Sequence, residues 1–189
     1  KDIIKKSTSS FSLGSLPYHT KLDQNESYLE LPSEIKYYLT EELKHLDWRR
    51  YPQPELYNRA KDSLAEHLNI SRDEIIITSG GDQVIQGVFI ITNPRTLIFE
   101  PTYPMYRLFA RHSRKDLKLE ILSPEYRIDD IIFRDNFDLV NIVTPNNPTG
   151  NIQDDSVIHS ALRSSGVVLI DEAYHEFCGV TYICLLYTS

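Results

Sequence analysis

The chain has 189 residues, of which 41% are hydrophobic and 25% charged, a composition typical of a globular protein with a buried core. Its net charge of −7 at pH 7, with the basic residues dispersed along the chain, excludes nucleic acid as an expected partner. No apolar run is long enough to cross a bilayer, so we expect no membrane partner and a cytoplasmic location, with an organelle as the alternative.

The first 70 residues are predicted to form an arm and a helical segment. Residues 1–30 are predicted as a flexible arm, because the first 20 are polar, rich in serine and without periodicity. Residues 31–70 are predicted to contain two helices, which begin near Pro32 and Pro54. Apolar residues recur at helical spacing in both, at Ile35, Tyr38, Leu39, Leu43 and Leu46 in the first and at Leu56, Ala60, Leu64 and Leu68 in the second.

Beyond residue 70, short apolar runs alternate with helical segments. Strands are predicted at 74–78, 96–100, 117–122, 138–143 and 166–171, and helices at 79–91, 103–113 and 154–165. Strands that are apolar on both faces and alternate with helices are typical of parallel sheets. The predicted fold class is therefore α/β, with three layers and a mostly parallel sheet that has helices on both faces.

Ligands of such sheets bind beyond the carboxyl ends of the strands, so the residues there are candidate site residues. The run Ser79-Gly80-Gly81-Asp82 follows the first predicted strand, and backbone N–H groups at a helix start suit a phosphate. An ordinary glycine turn, with Asp82 as the helix N-cap, would have the same sequence pattern. Tyr103, beyond the second strand, can stack on a flat ligand or pack in the core.

The run TPNNPTG, residues 144–150, ends another predicted strand. Pro148 lacks a backbone donor and restricts Asn147, so the strand must stop and the chain must turn. The turn either only connects a strand to a helix or, with a cis Asn147–Pro148 bond, aims a side chain at a ligand. The last strand ends at Asp171 and is followed by Glu172 and Tyr174.

One ligand could use all of these strand ends. It would have a phosphate, a flat ring, a polar substituent that Asn147 and Tyr174 meet, and a basic ring nitrogen opposite Asp171. Pyridoxal phosphate has these features, and a carboxylate beside its pyridine nitrogen favours the protonated, electron-accepting ring. Histidines and cysteines show no ligand-like spacing, so no metal site is predicted.

Six motifs over residues 20–178 resemble the fold-type I pyridoxal-phosphate-dependent aminotransferases of class I/II, and among them most closely the histidinol-phosphate aminotransferases. In chain order they are LDQNES, RRYPQPELYNRAKDSLAEHL, TSGGDQVI, FEPTYPMYR, TPNNPTG and IDEAYHEFC. The resemblance implies the large cofactor-binding domain of that fold, incomplete here at 71–179. It also implies amino-group transfer between glutamate or 2-oxoglutarate and histidinol phosphate or imidazole-acetol phosphate in histidine biosynthesis, and a homodimer at full length.

The resemblance also implies roles for individual residues. Phosphate binding falls to Gly81, Asp82 and Gln83, ring stacking to Tyr103, the ring hydroxyl to Asn147 and Tyr174, the ring nitrogen to Asp171, the partner subunit's phosphate to Tyr51, and the substrate to Asn25 and Glu26. The Asn147–Pro148 bond is expected to be cis, as is common in this family.

Two departures from the family pattern qualify these expectations. Gly81 and Gln83 stand where the family often has Ser and Glu, which removes a hydroxyl contact and a charge but leaves backbone binding of phosphate intact. No lysine follows Lys118, so the Schiff-base lysine is missing, no catalytic residue is assigned and the chain is expected to be inactive as given. Residues 180–189 fit no family motif and are expected to be a non-native tail.

Other functions remain open at this point. A threonine-phosphate decarboxylase or an aromatic aminotransferase of the same superfamily would share these cofactor residues. A different class of function is a non-catalytic, truncated fragment that interacts with a partner or holds the cofactor weakly. A Rossmann-type nucleotide binder is disfavoured, because SGGDQV lacks the spaced glycines of that motif.

Overall fold

The computed structural model describes residues 22–92, 95–114 and 116–187. These residues divide into two compact units, with the boundary between Leu56 and Tyr57. Most of the predicted arm, residues 1–21, lies outside the described residues. No helix in the described ranges is both long and apolar enough to span a bilayer.

Helix α1 (Ser33–Lys44) lies in the first unit. Helix α2 (Pro54–Leu68) begins in the first unit and extends into the second. Both begin at proline signals, with Pro32 before α1 and Pro54 as the first residue of α2, a position where the missing N–H costs no helical hydrogen bond. Neither helix buries a residue, although the predicted apolar residues lie within them, apart from Leu46, which lies beyond the end of α1.

The second unit is built on a four-stranded sheet. Its strands are β1 (Arg95–Glu100), β2 (Asp116–Ile121), β3 (Phe137–Val143) and β4 (Ser165–Asp171), all parallel and in the order β2-β1-β3-β4. The helices are α3 (Gly81–Ile91), α4 (Pro104–His112), α5 (Asp155–Ser164) and the short α6 (His175–Cys178). The described part of this unit also contains 3₁₀ turns at Arg72–Glu74, Asp130–Arg134 and Ile183–Tyr187.

Two apolar clusters cover the sheet, one on each face. On one face, Ile85 and Phe89 of α3 and Tyr106 and Ala110 of α4 pack on the sheet. On the other, Val157, Ile158 and Ala161 of α5 pack on Leu97, Phe99, Val140 and Ile142. The predicted three-layer α/β class is therefore confirmed. Tyr182 and Leu185, from the segment expected to be a non-native tail, pack against the second cluster.

One predicted strand is wrong. Residues 72–74 form a 3₁₀ turn that Ser71 caps, and Ile75 leaves it with extended backbone angles of φ −105° and ψ 128°. The run 75–78 nevertheless pairs with no strand among the described residues. An apolar sequence favours an extended backbone, but a strand also needs a hydrogen-bonded neighbour, and local sequence cannot supply one.

Candidate functional site

The strand order creates a crevice at one end of the sheet. The chain leaves β1 through α4 to reach β2 on one side, and leaves β3 through α5 to reach β4 on the other. The carboxyl ends of β1 and β3 are thus a topological switch point, the place where open α/β sheets bind ligands. The loops that meet there are 101–103 and 144–154.

The glycine turn before α3 leaves backbone N–H donors at the start of a helix. Gly80 has φ 83° and ψ 173°, a conformation that L side chains rarely adopt, and α3 begins at the next residue, Gly81. The first N–H groups of a helix have no intrahelical acceptors, so those of Gly81, Asp82 and Gln83 remain as donors. The Gln83 side chain accepts from the Ser79 N–H at 2.6 Å and thereby tightens the turn.

Tyr103 lies just before α4 and joins the turn to the crevice. Its hydroxyl donates to Asp82 Oδ1 at 3.1 Å. Burial, this hydrogen bond and the electrostatic influence of Asp82, Tyr174 and Asp171 raise the pKa of the Tyr103 phenol. The phenol is therefore a neutral donor, and the same interactions indicate that Asp82, Tyr174 and Asp171 each lie near Tyr103.

Asp171, at the end of β4, is held by two donors. The hydroxyl of Tyr106 donates to Oδ2 at 2.7 Å, and the Ala173 N–H donates to Oδ1 at 3.0 Å. Burial and then the charge of Asp171 raise the pKa of the Tyr106 phenol, which stays a donor. A carboxylate has about four acceptor positions, so Asp171 retains capacity for a further donor such as a protonated ring nitrogen.

Asn146 fastens the TPNNPTG loop across the switch point. Its Nδ2 donates to Pro101 O at 2.9 Å and to Thr149 Oγ1 at 2.8 Å, and its Oδ1 accepts from Thr102 Oγ1 at 2.8 Å. The bonds Glu100–Pro101, Thr144–Pro145 and Asn147–Pro148 are cis, so the expected isomer at Asn147–Pro148 is confirmed. Asn146 thus anchors the loop, and Asn147 is the neighbouring amide that the loop presents.

Gln153 fastens the other end of the same loop. Its buried side chain accepts from the Ile128 N–H at 3.0 Å and donates to Tyr126 O at 2.9 Å. Its own N–H donates to Thr144 Oγ1 at 3.1 Å, directly after β3. Because both ends are anchored in buried positions, Asn147 is carried on a segment with little freedom to move.

An open groove of about 500 Å³ borders the switch point. Its walls include Tyr103, Arg107 and Pro148, so it connects the start of α4 with the TPNNPTG loop. Arg107 donates to Glu100 Oε1 at 3.2 Å and places the groove's positive charge beside the end of β1.

The predicted site residues of the second unit assemble around this edge of the sheet. Asp82, Asp171 and Tyr174 all raise the pKa of Tyr103, and Asn147 directly follows Asn146, which accepts a hydrogen bond from Thr102. Tyr51, Asn25 and Glu26 belong to the first unit, and their assignment stays a prediction. Sequence reasoning missed Tyr106, Asn146 and Gln153 as supports, although the spacing of Tyr106 three residues after Tyr103 was a signal.

The donors and acceptors present fit pyridoxal phosphate. The glycine turn offers backbone N–H groups without side chains in the way, which suits a phosphate. Asp171 offers an oriented carboxylate with acceptor capacity, which suits a protonated pyridine nitrogen. Among the described residues no group of three or more His, Cys, Asp or Glu is arranged to hold a metal ion.

Comparison with known proteins identifies the family. The model of the family "Aminotransferase class I and II" matches residues 19–183. The histidinol-phosphate aminotransferase of Pyrococcus furiosus is 32% identical over 170 residues, which is 88% of this chain and 50% of that protein. The chain therefore spans about half the length of the curated relatives it matches.

Solved structures agree in fold. The histidinol-phosphate aminotransferase of Clostridium acetobutylicum superposes with a TM-score of 0.72 at 24% identity, over 85% of this chain and 50% of that one. The enzyme of the same name from Sinorhizobium meliloti, solved in complex with pyridoxal-5′-phosphate, has a TM-score of 0.68 at 21% identity, over 81% and 44%. This chain belongs to the class I and II aminotransferase family.

Proposed function

We propose that the protein acts, at full length, as a pyridoxal-phosphate-dependent transaminase of histidine biosynthesis. It moves an amino group between glutamate or 2-oxoglutarate and histidinol phosphate or imidazole-acetol phosphate. The observation that carries the proposal is the Asp171 carboxylate, held by Tyr106 and Ala173 beside the switch point and electrostatically coupled to Tyr103. The 32% identity with the Pyrococcus furiosus enzyme supports the substrate class.

The bound cofactor supplies a ring that accepts the electrons released when a bond at the substrate's Cα breaks. In this proposal the N–H groups of Gly81, Asp82 and Gln83 bind its phosphate, and Tyr103 stacks on its ring. Asp171 would accept a hydrogen bond from the protonated ring nitrogen, and its negative charge would favour that protonated form. Asn147 and Tyr174 orient the ring through its hydroxyl oxygen.

The remaining assignments concern the substrate and the assembly. Asn25 and Glu26 contact the substrate, and Tyr51 reaches the partner subunit's phosphate in a homodimer. No lysine follows Lys118, so the 189-residue chain holds the cofactor without covalent attachment and does not transaminate alone. Its location in the proposal is the cytoplasm.

The first test is binding of pyridoxal phosphate to the 189-residue chain, measured by calorimetric titration. We expect saturable binding, weakened about 10- to 100-fold in Asp171→Asn because a charge-assisted hydrogen bond is lost. Asp116→Asn, at the exposed opposite end of β2, is the matched control and should bind like the wild type. Absence of saturable binding, or equal affinity in wild type and Asp171→Asn, would contradict the proposed cofactor site.

The second test concerns the substrate and uses the full-length gene product. Amino transfer to 2-oxoglutarate is measured from histidinol phosphate and from phenylalanine, and release of CO₂ is measured from threonine phosphate. The proposal expects the largest kcat/KM with histidinol phosphate. A preference for either of the other substrates would replace it with an aromatic aminotransferase or a threonine-phosphate decarboxylase.

A further inference from the structure

The PTYPMY run places two tyrosines at the start of α4, and each is tied to a different carboxylate. Tyr103 donates to Asp82 at the start of α3, and Tyr106 donates to Asp171 at the end of β4. Their ring centroids are 6.5 Å apart with an interplanar angle of 83°, an edge-to-face contact. The start of α4 therefore connects the glycine turn before α3 with the carboxylate at the end of β4.

Tyr106 is the more rigid of the two. Its side chain is only 1% exposed and packs in the apolar cluster with Ile85, Phe89 and Leu139. A ring confined in this way cannot move its hydroxyl without disturbing the close-packed core. The oxygen of Tyr106 is thus a fixed point against which another group can be oriented.

The group that it orients is Asp171. The 2.7 Å contact with Oδ2 is within the short range of an O–H donor facing a carboxylate. The Ala173 N–H holds the other oxygen at 3.0 Å. Two donors on different oxygens prevent rotation of the carboxylate, so the acceptor positions that remain point in defined directions.

We propose that Tyr106 is a positioning residue for cofactor recognition: its buried hydroxyl fixes the direction in which Asp171 accepts from the ring nitrogen. The inference rests on the proposed function, since it concerns the pyridine nitrogen of pyridoxal phosphate. It adds to that function a residue that does not contact the cofactor's phosphate, ring hydroxyl or ring nitrogen and acts through Asp171. A purely structural Tyr106 would stabilise the fold without regard to the ring nitrogen.

The test compares two ligands that differ only at the ring nitrogen. They are pyridoxal phosphate and its deaza analogue, in which carbon replaces that nitrogen. We expect Tyr106→Phe to lose about tenfold in affinity for pyridoxal phosphate, the equivalent of one hydrogen bond to a charged group, and to bind the deaza analogue as the wild type does. An equal loss for both ligands, or no loss for either, overturns the inference.

Tyr182→Phe is the matched control. Its hydroxyl donates to Asp155 Oδ1 at 2.8 Å, a tyrosine–aspartate hydrogen bond outside the site. This variant should bind both ligands with wild-type affinity. In an Asp171→Asn background, Tyr106→Phe should change affinity for pyridoxal phosphate by less than about twofold, because the two residues act through one interaction. A full tenfold loss in that background contradicts the inference.

A measurement without cofactor tests the Tyr106–Asp171 hydrogen bond directly and does not require that Tyr106→Phe folds. In the wild-type chain, nuclear magnetic resonance should detect a slowly exchanging hydroxyl proton on the Tyr106 ring, because the group is buried and donates to Asp171. Rapid exchange of that proton overturns the inference even if Tyr106→Phe does not fold. If the wild-type chain binds neither ligand, the proposed cofactor site is refuted and the inference fails with it, whereas a loss in Tyr106→Phe that is equal for both ligands overturns the inference alone.

Discussion

The helices over the sheet and the helices that precede it have similar apolar spacing but opposite burial. Phe89 of α3, Ala110 of α4 and Ile158 of α5 are fully buried. Leu39, in the corresponding apolar stripe of α1, is 48% exposed, and α1 and α2 contain no buried residue. Spacing therefore specifies which face of a helix is apolar, while burial also needs a surface that covers it.

The sheet region supplies that surface from nearby in the chain. β1 and β2 flank α4 in sequence, and β3 and β4 flank α5, so each helix folds back on the strands that it joins. No described strand of the sheet directly precedes or follows α1. We therefore expect substitutions in the sheet region to lower the free energy of unfolding more than substitutions in α1.

The largest effect is expected for Phe89→Ala. It removes a fully buried ring between α3 and the sheet and should lower the free energy of unfolding by about 3–5 kcal/mol. Urea denaturation followed by circular dichroism measures the change. A cost below about 1 kcal/mol would mean that α3 is loosely packed, and the contrast with α1 would fail.

An intermediate effect is expected for Asn146→Ala. The variant loses hydrogen bonds to Pro101, Thr102 and Thr149, and should lose about 1–3 kcal/mol of unfolding free energy because partly buried partners are left unsatisfied. Asn147→Ala is the adjacent control and should cost less than about 0.5 kcal/mol. Equal costs at the two positions would show that Asn146 does not anchor the loop.

The smallest effect is expected for Leu39→Ala. Because this side chain is exposed and alanine is a good helix former, the unfolding free energy should change by less than about 0.5 kcal/mol. The same urea titration applies, with Phe89→Ala as the internal reference. A loss of several kcal/mol would show that the α1 stripe is covered in solution.

The strands of the sheet were predictable because their signals are local. β1, β3 and β4 were each predicted to within one residue, since runs rich in apolar residues there end near Pro101, Pro145 and the acidic pair Asp171-Glu172. The run 75–78 has the same composition but no paired neighbour, so local signals predicted a strand that is absent. Pairing is a property of distant segments, which one stretch of sequence does not contain.

The candidate site divides in the same way. Gly80-Gly81 at a helix start and Asp171 at the end of a strand were recognisable from their immediate neighbours. The anchoring role of Asn146, as distinct from Asn147, was not recognisable, because it depends on a hydrogen bond from Thr102, 44 residues earlier. Likewise, the Tyr106 hydroxyl meets a carboxylate 65 residues away. Resemblance to a family assigned the residues around the cofactor but not the residues that hold them.

The strand order also makes the two sides of the sheet unequal toward self-association. β2, at one side, alternates apolar residues with Lys118 and Glu120, and Lys118 forms an ion pair with Asp135 at 3.1 Å. β4, at the other side among the described strands, has no charged residue from Ser165 to Ile170, and Val167 is exposed. Charged side chains on outer strands act as gatekeepers against intermolecular pairing. Any strand-mediated aggregation of the 189-residue chain should therefore begin at β4.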